Sequence, residues 1–376
     1  MRHALASLLM LLSVGCATMQ RGSVLESKVD ALMHDYDTPK VPGASVIVVR
    51  NGAIAFRKSY GRADLEERVT ATPATNYRLA SMTKQFTAAS ILLLAERGAL
   101  SIDDPVRRFL PELPPYADAI TIRHLLTHTS GLVDYEDVIP AGATKQLHDF
   151  DVLELVAHQR ATLFPPGTKY QYSNSGYALL AMIVQRASGK TFAQFLEDNI
   201  FSPLGMNTTV AFEEGISGVA NRAFGYSRRG AAASNEGEGP SPSLHAAVIG
   251  NTTGSPWIRT DQSLTSAVLG DGGIYSSVDD LILWLRSLDE ATILKPSSLA
   301  LAFKPWVETG APGVRYGFGW RIDEHRGKRT TWHTGETIGF RNAVVRFPDQ
   351  HLAVVVLTNR NEGDPHRLAL EIADLW

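Results

Sequence analysis

The 376-residue chain predicts a mixed α/β (α+β) protein. Its core is a mostly antiparallel sheet flanked by helices, built from both ends of the chain, with a helical domain inserted between. Three observations carry this expectation. An Asn51-Gly52 turn joins two short apolar runs early in the chain, four strand-like runs crowd the region after Tyr316, and residues 103–264 are written largely in helical period. With 44% hydrophobic residues the chain can bury a large core.

Taken in order, Arg2 and His3 precede the apolar segment Ala4–Leu12 and then Ser13-Val14-Gly15-Cys16-Ala17, so residues 1–17 read as an export signal. The apolar segment is too short to span a bilayer, and no later run is long enough to do so. Cys16, the one cysteine, stands where a bacterial lipoprotein signal places its lipidated residue; ordinary cleavage near Gly15 or Ala17 is the alternative. The expected location is a bacterial cell envelope, either periplasmic or anchored by lipid at Cys16. Disulfides, cysteine catalysis and thiolate metal sites are excluded on either reading. A net charge of −3 with interspersed signs gives no basic stripe for nucleic acid.

Leu25 to Met33 has helical spacing, Ala44 to Arg50 reads as a strand, and Asn51-Gly52 returns it through Ala53 to Arg57. Ser81-Met82-Thr83-Lys84 then runs into Gln85–Ala95, which is apolar on nearly every side and so reads as a buried helix ending at Gly98. Expected next are a short helix over Ile122–Leu132 ended by a glycine, an amphipathic helix over Val152–Arg160, and a helix from Tyr177 capped by Asn174 or Ser175 and stopped by Gly189. Thr191 caps a further helix ending before Pro203. Arg228 to Pro242 reads as a surface loop, and Ser277 with Asp280 as a capping box. Strands are expected at Phe318–Asp323, Arg329–His333, Arg341–Phe347 and His351–Leu357, with a closing helix over Leu368–Trp376. The sheet domain therefore takes residues 24–102 and 265–376, and the inserted helical domain 103–264.

Ser81 and Lys84 carry the first chemical signal. Residues three apart share a helix face, and both burial and the positive end of a helix work against a charged ammonium there. An amine driven toward its neutral form beside a hydroxyl can act as a base for it. A capping serine with a lysine reaching for solvent would fit the same four residues, so the rest of the chain decides. Tyr172-Ser173-Asn174, on a turn just ahead of a helix, can point a phenol into a cleft; His333-Thr334-Gly335-Glu336 lies on a strand whose glycine permits close backbone approach. His124 and His128 stand four apart but lack the intervening glutamate of a zinc protease. Gly270–Gly273 lacks the Lys-Ser/Thr of a phosphate loop, and no Gly-x-Ser-x-Gly elbow is present. No metal and no cofactor are expected.

In this order, Ser-x-x-Lys, Tyr-x-Asn and a basic-Thr-Gly strand resemble the motifs of the serine penicillin-recognising hydrolases. Within them the chain looks like the branch holding class C β-lactamases, D-alanyl-D-alanine carboxypeptidases, D-amino-acid peptidases and related esterases. The resemblance covers nearly the whole chain after the signal, including His124–Leu132, Pro166-Gly167 and Gly270–Gly273. It implies a β-lactamase-like fold and a site in which Ser81 is the acyl-forming nucleophile, Lys84 takes its proton and Tyr172 relays protons to the leaving group and water. Asn174 is implied to bond Lys84 or a substrate amide, the N–H groups of Ser81 and Glu336 to form the oxyanion hole, and His333, Thr334 and Gly335 to line the strand beside the substrate. Histidine at 333, where β-lactamases mostly carry lysine, tilts the expectation toward a D-peptide or ester substrate. A true β-lactamase and a catalytically silent peptide or protein binder remain the alternatives. The partner is expected to be a small molecule or short peptide.

Overall fold

The structure, a computed structural model, describes residues 24–213, 215–229 and 255–376. The expected export signal with Cys16, and most of the expected 228–242 loop, lie outside the described residues. A first helix (α1, 24–32) leads into β1 (Ala44–Arg50) and β2 (Ala53–Tyr60). Asn51 and Gly52 between them are both left-handed (φ 51° and 72°), as a tight primed hairpin turn requires. There follow β3 (Tyr77–Arg78), α2 (Lys84–Glu96), α3 (Ile122–Leu126), α4 (Asp149–Ala157), α5 (Asn174–Ser188), β4 (Val210–Ala211), β5 (Ile274–Ser276) and α6 (Val278–Glu290). The chain ends with β6 (Val307–Glu308), β7 (Arg315–Tyr316), β8 (Arg321–His325), β9 (Lys328–Thr337), β10 (Phe340–Phe347), β11 (Leu352–Thr358) and α7 (Pro365–Ala373).

One eight-stranded sheet runs β6-β7-β8-β9-β10-β11-β1-β2, every neighbour antiparallel. The first strand thus pairs with the last, Ala44 with Thr358 through Arg50 with Leu352. Side chains alternate across the sheet. Val46, Val48, Val354 and Val356 pack with Val29 and Met33 of the N-terminal region and with Leu368 and Ile372 of α7. Ile47, Val49, Val355 and Leu357 face the larger core that holds Phe86, Leu92, Ile183 and Trp284 from α2, α5 and α6. Helices on both faces explain why β1 and β11 read as unbroken apolar runs instead of alternating ones. The expected architecture of an antiparallel sheet flanked by helices is the observed one.

Several element boundaries differ from expectation. The helix expected over Ile122–Leu132 stops at Leu126, because His128 takes a left-handed conformation (φ 57°) that no α-helix accommodates. The strand expected at Phe318–Asp323 begins only at Arg321, because Gly319 (φ 76°) folds tightly over the backbone of Lys84, where an added Cβ would stand 2.7 Å from the Lys84 carbonyl oxygen. The helical stretch after Thr191 runs on through Pro203, and Gly205 ends it. Ser277 does accept from the Asp280 N–H, but the Asp280 carboxylate reaches away to Thr208 and Thr209, so the capping box is half formed. Among the described residues of 103–264 there are also three short strands, Val210–Ala211, Tyr226–Arg228 and Trp257–Arg259.

Candidate active site

Ser81 precedes α2 in a 3₁₀ turn, Ala80–Thr83, and Lys84 is the first residue of the α-helix. With three residues per turn, 3₁₀ geometry places i directly beneath i+3, a closer overlap than the α-helix expected here. Lys84 is fully buried, and its Nζ lies 2.9 Å from Ser81 Oγ. Nζ also donates to Asn174 Oδ1 at 2.8 Å and to the main-chain oxygen of Asp271 at 2.9 Å. The turn is entered through Ala80, whose φ of 49° is uncommon for a residue with a Cβ. Such a conformation costs of order 1–3 kcal/mol and persists where neighbours enforce it. Leu79 N–H bonds the Ile274 oxygen at 2.8 Å, and Thr83 Oγ1 accepts from Ile274 N–H at 3.2 Å.

Asn174 opens α5, with Ser173 rather than Asn174 or Ser175 at the cap position. The cap is supplied from elsewhere in the chain: Asp134 Oδ2 accepts the Asn174 N–H at 2.6 Å, while Ser175 Oγ is engaged by Val133 and Tyr135. Glu136 accepts from Asn174 Nδ2 at 3.3 Å, which aims Oδ1 at Lys84. Behind the lysine, Tyr135 donates to Asp271 Oδ2 at 2.9 Å, and Asp149 accepts the N–H groups of Leu269 and Gly270 at 3.0 Å each. Burial pushes the carboxyls of Asp134 and Asp271 up to about 7 and that of Asp149 up to about 6. The Tyr172 ring flanks the amine, its centroid 5.0 Å from Lys84 Nζ, and the Tyr177 ring lies 5.6 Å away on another side.

Strand β9 closes the cleft. β8 pairs with it only as far as Trp332, opposite Arg321, so among the described residues His333–Thr337 is paired on one side only, by β10. Gly335 presses on the segment leading to the serine; a Cβ there would stand 1.9 Å from the Leu79 oxygen and 3.4 Å from Met82 N. Glu336 is exposed and pairs with Arg341 at 3.6 Å. His333 is buried, its Nδ1 2.6 Å from the Thr334 oxygen and its Nε2 3.0 Å from the Tyr316 hydroxyl. Since a carbonyl only accepts, Nδ1 carries the proton and Nε2 accepts from Tyr316. Burial, with the charge of Arg321 adding to it, drops His333 to about 3, so the ring is neutral at neutral pH.

Ser81, Asn174 and the Tyr172 ring therefore gather around Lys84 Nζ, beside the strand bearing His333, Thr334, Gly335 and Glu336. Residues that sequence reasoning did not single out complete the site. The main-chain oxygen of Asp271 takes one proton of Lys84, and no side-chain pattern marks a carbonyl. Arg321, opposite Trp332 in the hairpin that leads into His333, lies 5.8 Å from the Tyr172 ring centroid. His124 and His128 do not share a helix face, since His124 caps Thr121 N–H at 3.2 Å while His128 turns inward.

Comparison with known proteins places the chain in context. The family described as Beta-lactamase matches residues 25–375. Penicillin-binding protein 4* of Bacillus subtilis (strain 168) is 29% identical over 339 residues, covering 87% of this chain and 70% of that protein. The D-aminopeptidase of Gluconobacter oxydans (strain 621H) is 29% identical over 338 residues, covering 89% of this chain but only 58% of its own length. The crystal structure of a penicillin binding protein from Bacillus halodurans superposes with a TM-score of 0.75 at 27% identity, covering 93% of this chain and 99% of that one.

Proposed function

We propose that this chain, which belongs to the Beta-lactamase family, is an exported serine hydrolase that forms an acyl-enzyme on Ser81 and acts on D-peptides or esters. One observation carries the reading: a fully buried lysine whose amine touches Ser81 Oγ while two oxygens of the protein hold its other protons. In the neutral amine, N–H bonds to Asn174 Oδ1 and Asp271 O use both protons and leave the lone pair facing Ser81 Oγ. The serine O–H then gives its proton to Nζ as Oγ bonds the substrate carbonyl carbon. The Tyr172 hydroxyl, on a ring centred 5.0 Å from that amine, passes the proton to the departing group as the scissile bond breaks. A water taking the leaving group's place is deprotonated by the same pair, and its attack frees Ser81. The N–H groups of Ser81 and Glu336 are the proposed oxyanion donors, and each such donor typically contributes about 3–4 kcal/mol to the transition state.

The half-open edge at His333–Thr337 suits an extended acyl chain lying as an added strand. The neutral His333 does not serve as an anchor for a carboxylate, and a β-lactam is the less favoured substrate for that reason. The test is a screen of p-nitrophenyl esters, D-Ala-D-Ala peptides and nitrocefin, with Ser81→Ala as the blank. Ester or D-peptide turnover far above the blank, with slow nitrocefin hydrolysis, is expected. Fast nitrocefin turnover would reverse the substrate reading, and a wild type no better than its blank would leave a binding protein.

A further inference from the structure

His128 lies outside the reaction just described, yet it grips the chain on both sides of Tyr172. Its main-chain oxygen accepts the Gln171 N–H at 2.9 Å, and its ring Nδ1 accepts the Ser173 N–H at 3.1 Å. The ring itself lies against the Tyr172 ring, centroids 4.3 Å apart and tilted by 33°. Tyr177 and Tyr316 enclose it at 5.1 and 4.6 Å. Because Nδ1 accepts and the ring is neutral, the remaining proton belongs on Nε2. Burial is the chief cause of that neutrality. Nε2 has no hydrogen-bond partner although it is buried. The residue also holds φ at 57°, where a β-carbon is disfavoured. An unpartnered ring nitrogen and a left-handed backbone are two costs at one position, and costs of this kind persist where surrounding structure enforces them. Left-handed geometry is what lets a single residue offer its carbonyl and its ring to the same neighbouring strand of chain.

We propose that His128 is the positioning residue of Tyr172, fixing the backbone on either side of the tyrosine and bracing its ring so that the phenol faces Lys84. The proposal rests on the serine-hydrolase reading above. A misplacement of about 1 Å can cost roughly a hundredfold in rate. His128→Ala removes both the ring and the Nδ1 acceptor; His128→Asn keeps a side-chain acceptor and tolerates positive φ. The expected kcat for ester hydrolysis falls about 30- to 100-fold in His128→Ala with KM within about twofold, and His128→Asn recovers at least a several-fold share of that loss.

Non-additivity separates positioning from general damage. In a Tyr172→Phe background, His128→Ala should cost less than about threefold further, because the group it orients is already gone. Crystal structures of the variants supply a readout independent of turnover, and the Tyr172 ring should be displaced in His128→Ala and restored in His128→Asn. Wild-type kcat in His128→Ala, equal losses with and without the Tyr172 hydroxyl, no recovery in His128→Asn, or an unmoved Tyr172 ring would each overturn the proposal. A wild type that turns over no substrate would refute the hydrolase reading instead, and the ring position would still decide this one.

Discussion

Lys84→Met is expected to lower the rate of Ser81 acylation by about 10⁴-fold or more, the scale on which a nucleophile loses its base. Methionine matches lysine in length and suits a fully buried position, so the fold should survive. What it removes is the amine touching Ser81 Oγ at 2.9 Å. It also leaves Asn174 Oδ1 and the Asp271 oxygen without their donor, each costing about 1–3 kcal/mol. Relief from burying an amine offsets part of that cost. Stopped-flow labelling with a fluorophosphonate, alongside thermal denaturation, separates the two effects. A variant that acylates within tenfold of wild type would show that Lys84 is structural.

Gly335→Ala carries the next largest expectation. Its Cβ would lie 1.9 Å from the Leu79 oxygen and 3.0 Å from the Leu79 carbon, both main-chain atoms that cannot swing aside. Either β9 or the segment leading into Ser81 must move, and the proposed oxyanion donors sit one on each. Loss of one donor costs about 10²–10³ in kcat, and KM should rise too because the same strand edge borders the substrate. Gly218→Ala, whose Cβ would meet nothing within 4 Å, serves as the control and should leave both constants unchanged. Activity surviving in Gly335→Ala would remove β9 from the oxyanion site.

What could be read in advance follows a physical pattern. The Ser81–Lys84 spacing, the Asn51-Gly52 hairpin and the strand at Ala44–Arg50 are local, and neighbours along the chain dictate them. The Tyr172-Ser173-Asn174 turn was found by its order relative to Ser81, although nothing local separates it from a packing tyrosine. The features that escaped are non-local or belong to the backbone. Asp134 caps α5 from 40 residues away, which periodicity cannot see. The Asp271 carbonyl has no side-chain signature. His128 looked like a residue inside a helix because Ile122–Leu132 keeps apolar spacing past the point where the chain turns left-handed. The strand expected from Phe318 failed for a similar reason: Gly319 answers to the backbone of Lys84, more than two hundred residues earlier in the chain.

The histidine in the lysine's place shows composition and environment parting. From sequence its charge was open, since an exposed imidazole titrates near neutrality. Burial against Tyr316 and the pressure of Arg321 decide for the neutral ring.

The whole account depends on a hydroxyl made nucleophilic by a hidden amine. Intact-protein and peptide mass spectrometry after exposure to a fluorophosphonate tests that most directly. A single adduct on the peptide bearing Ser81, missing from Ser81→Ala protein that keeps its melting temperature, is the predicted result. No adduct on the wild type, or an equal adduct in Ser81→Ala, would contradict it.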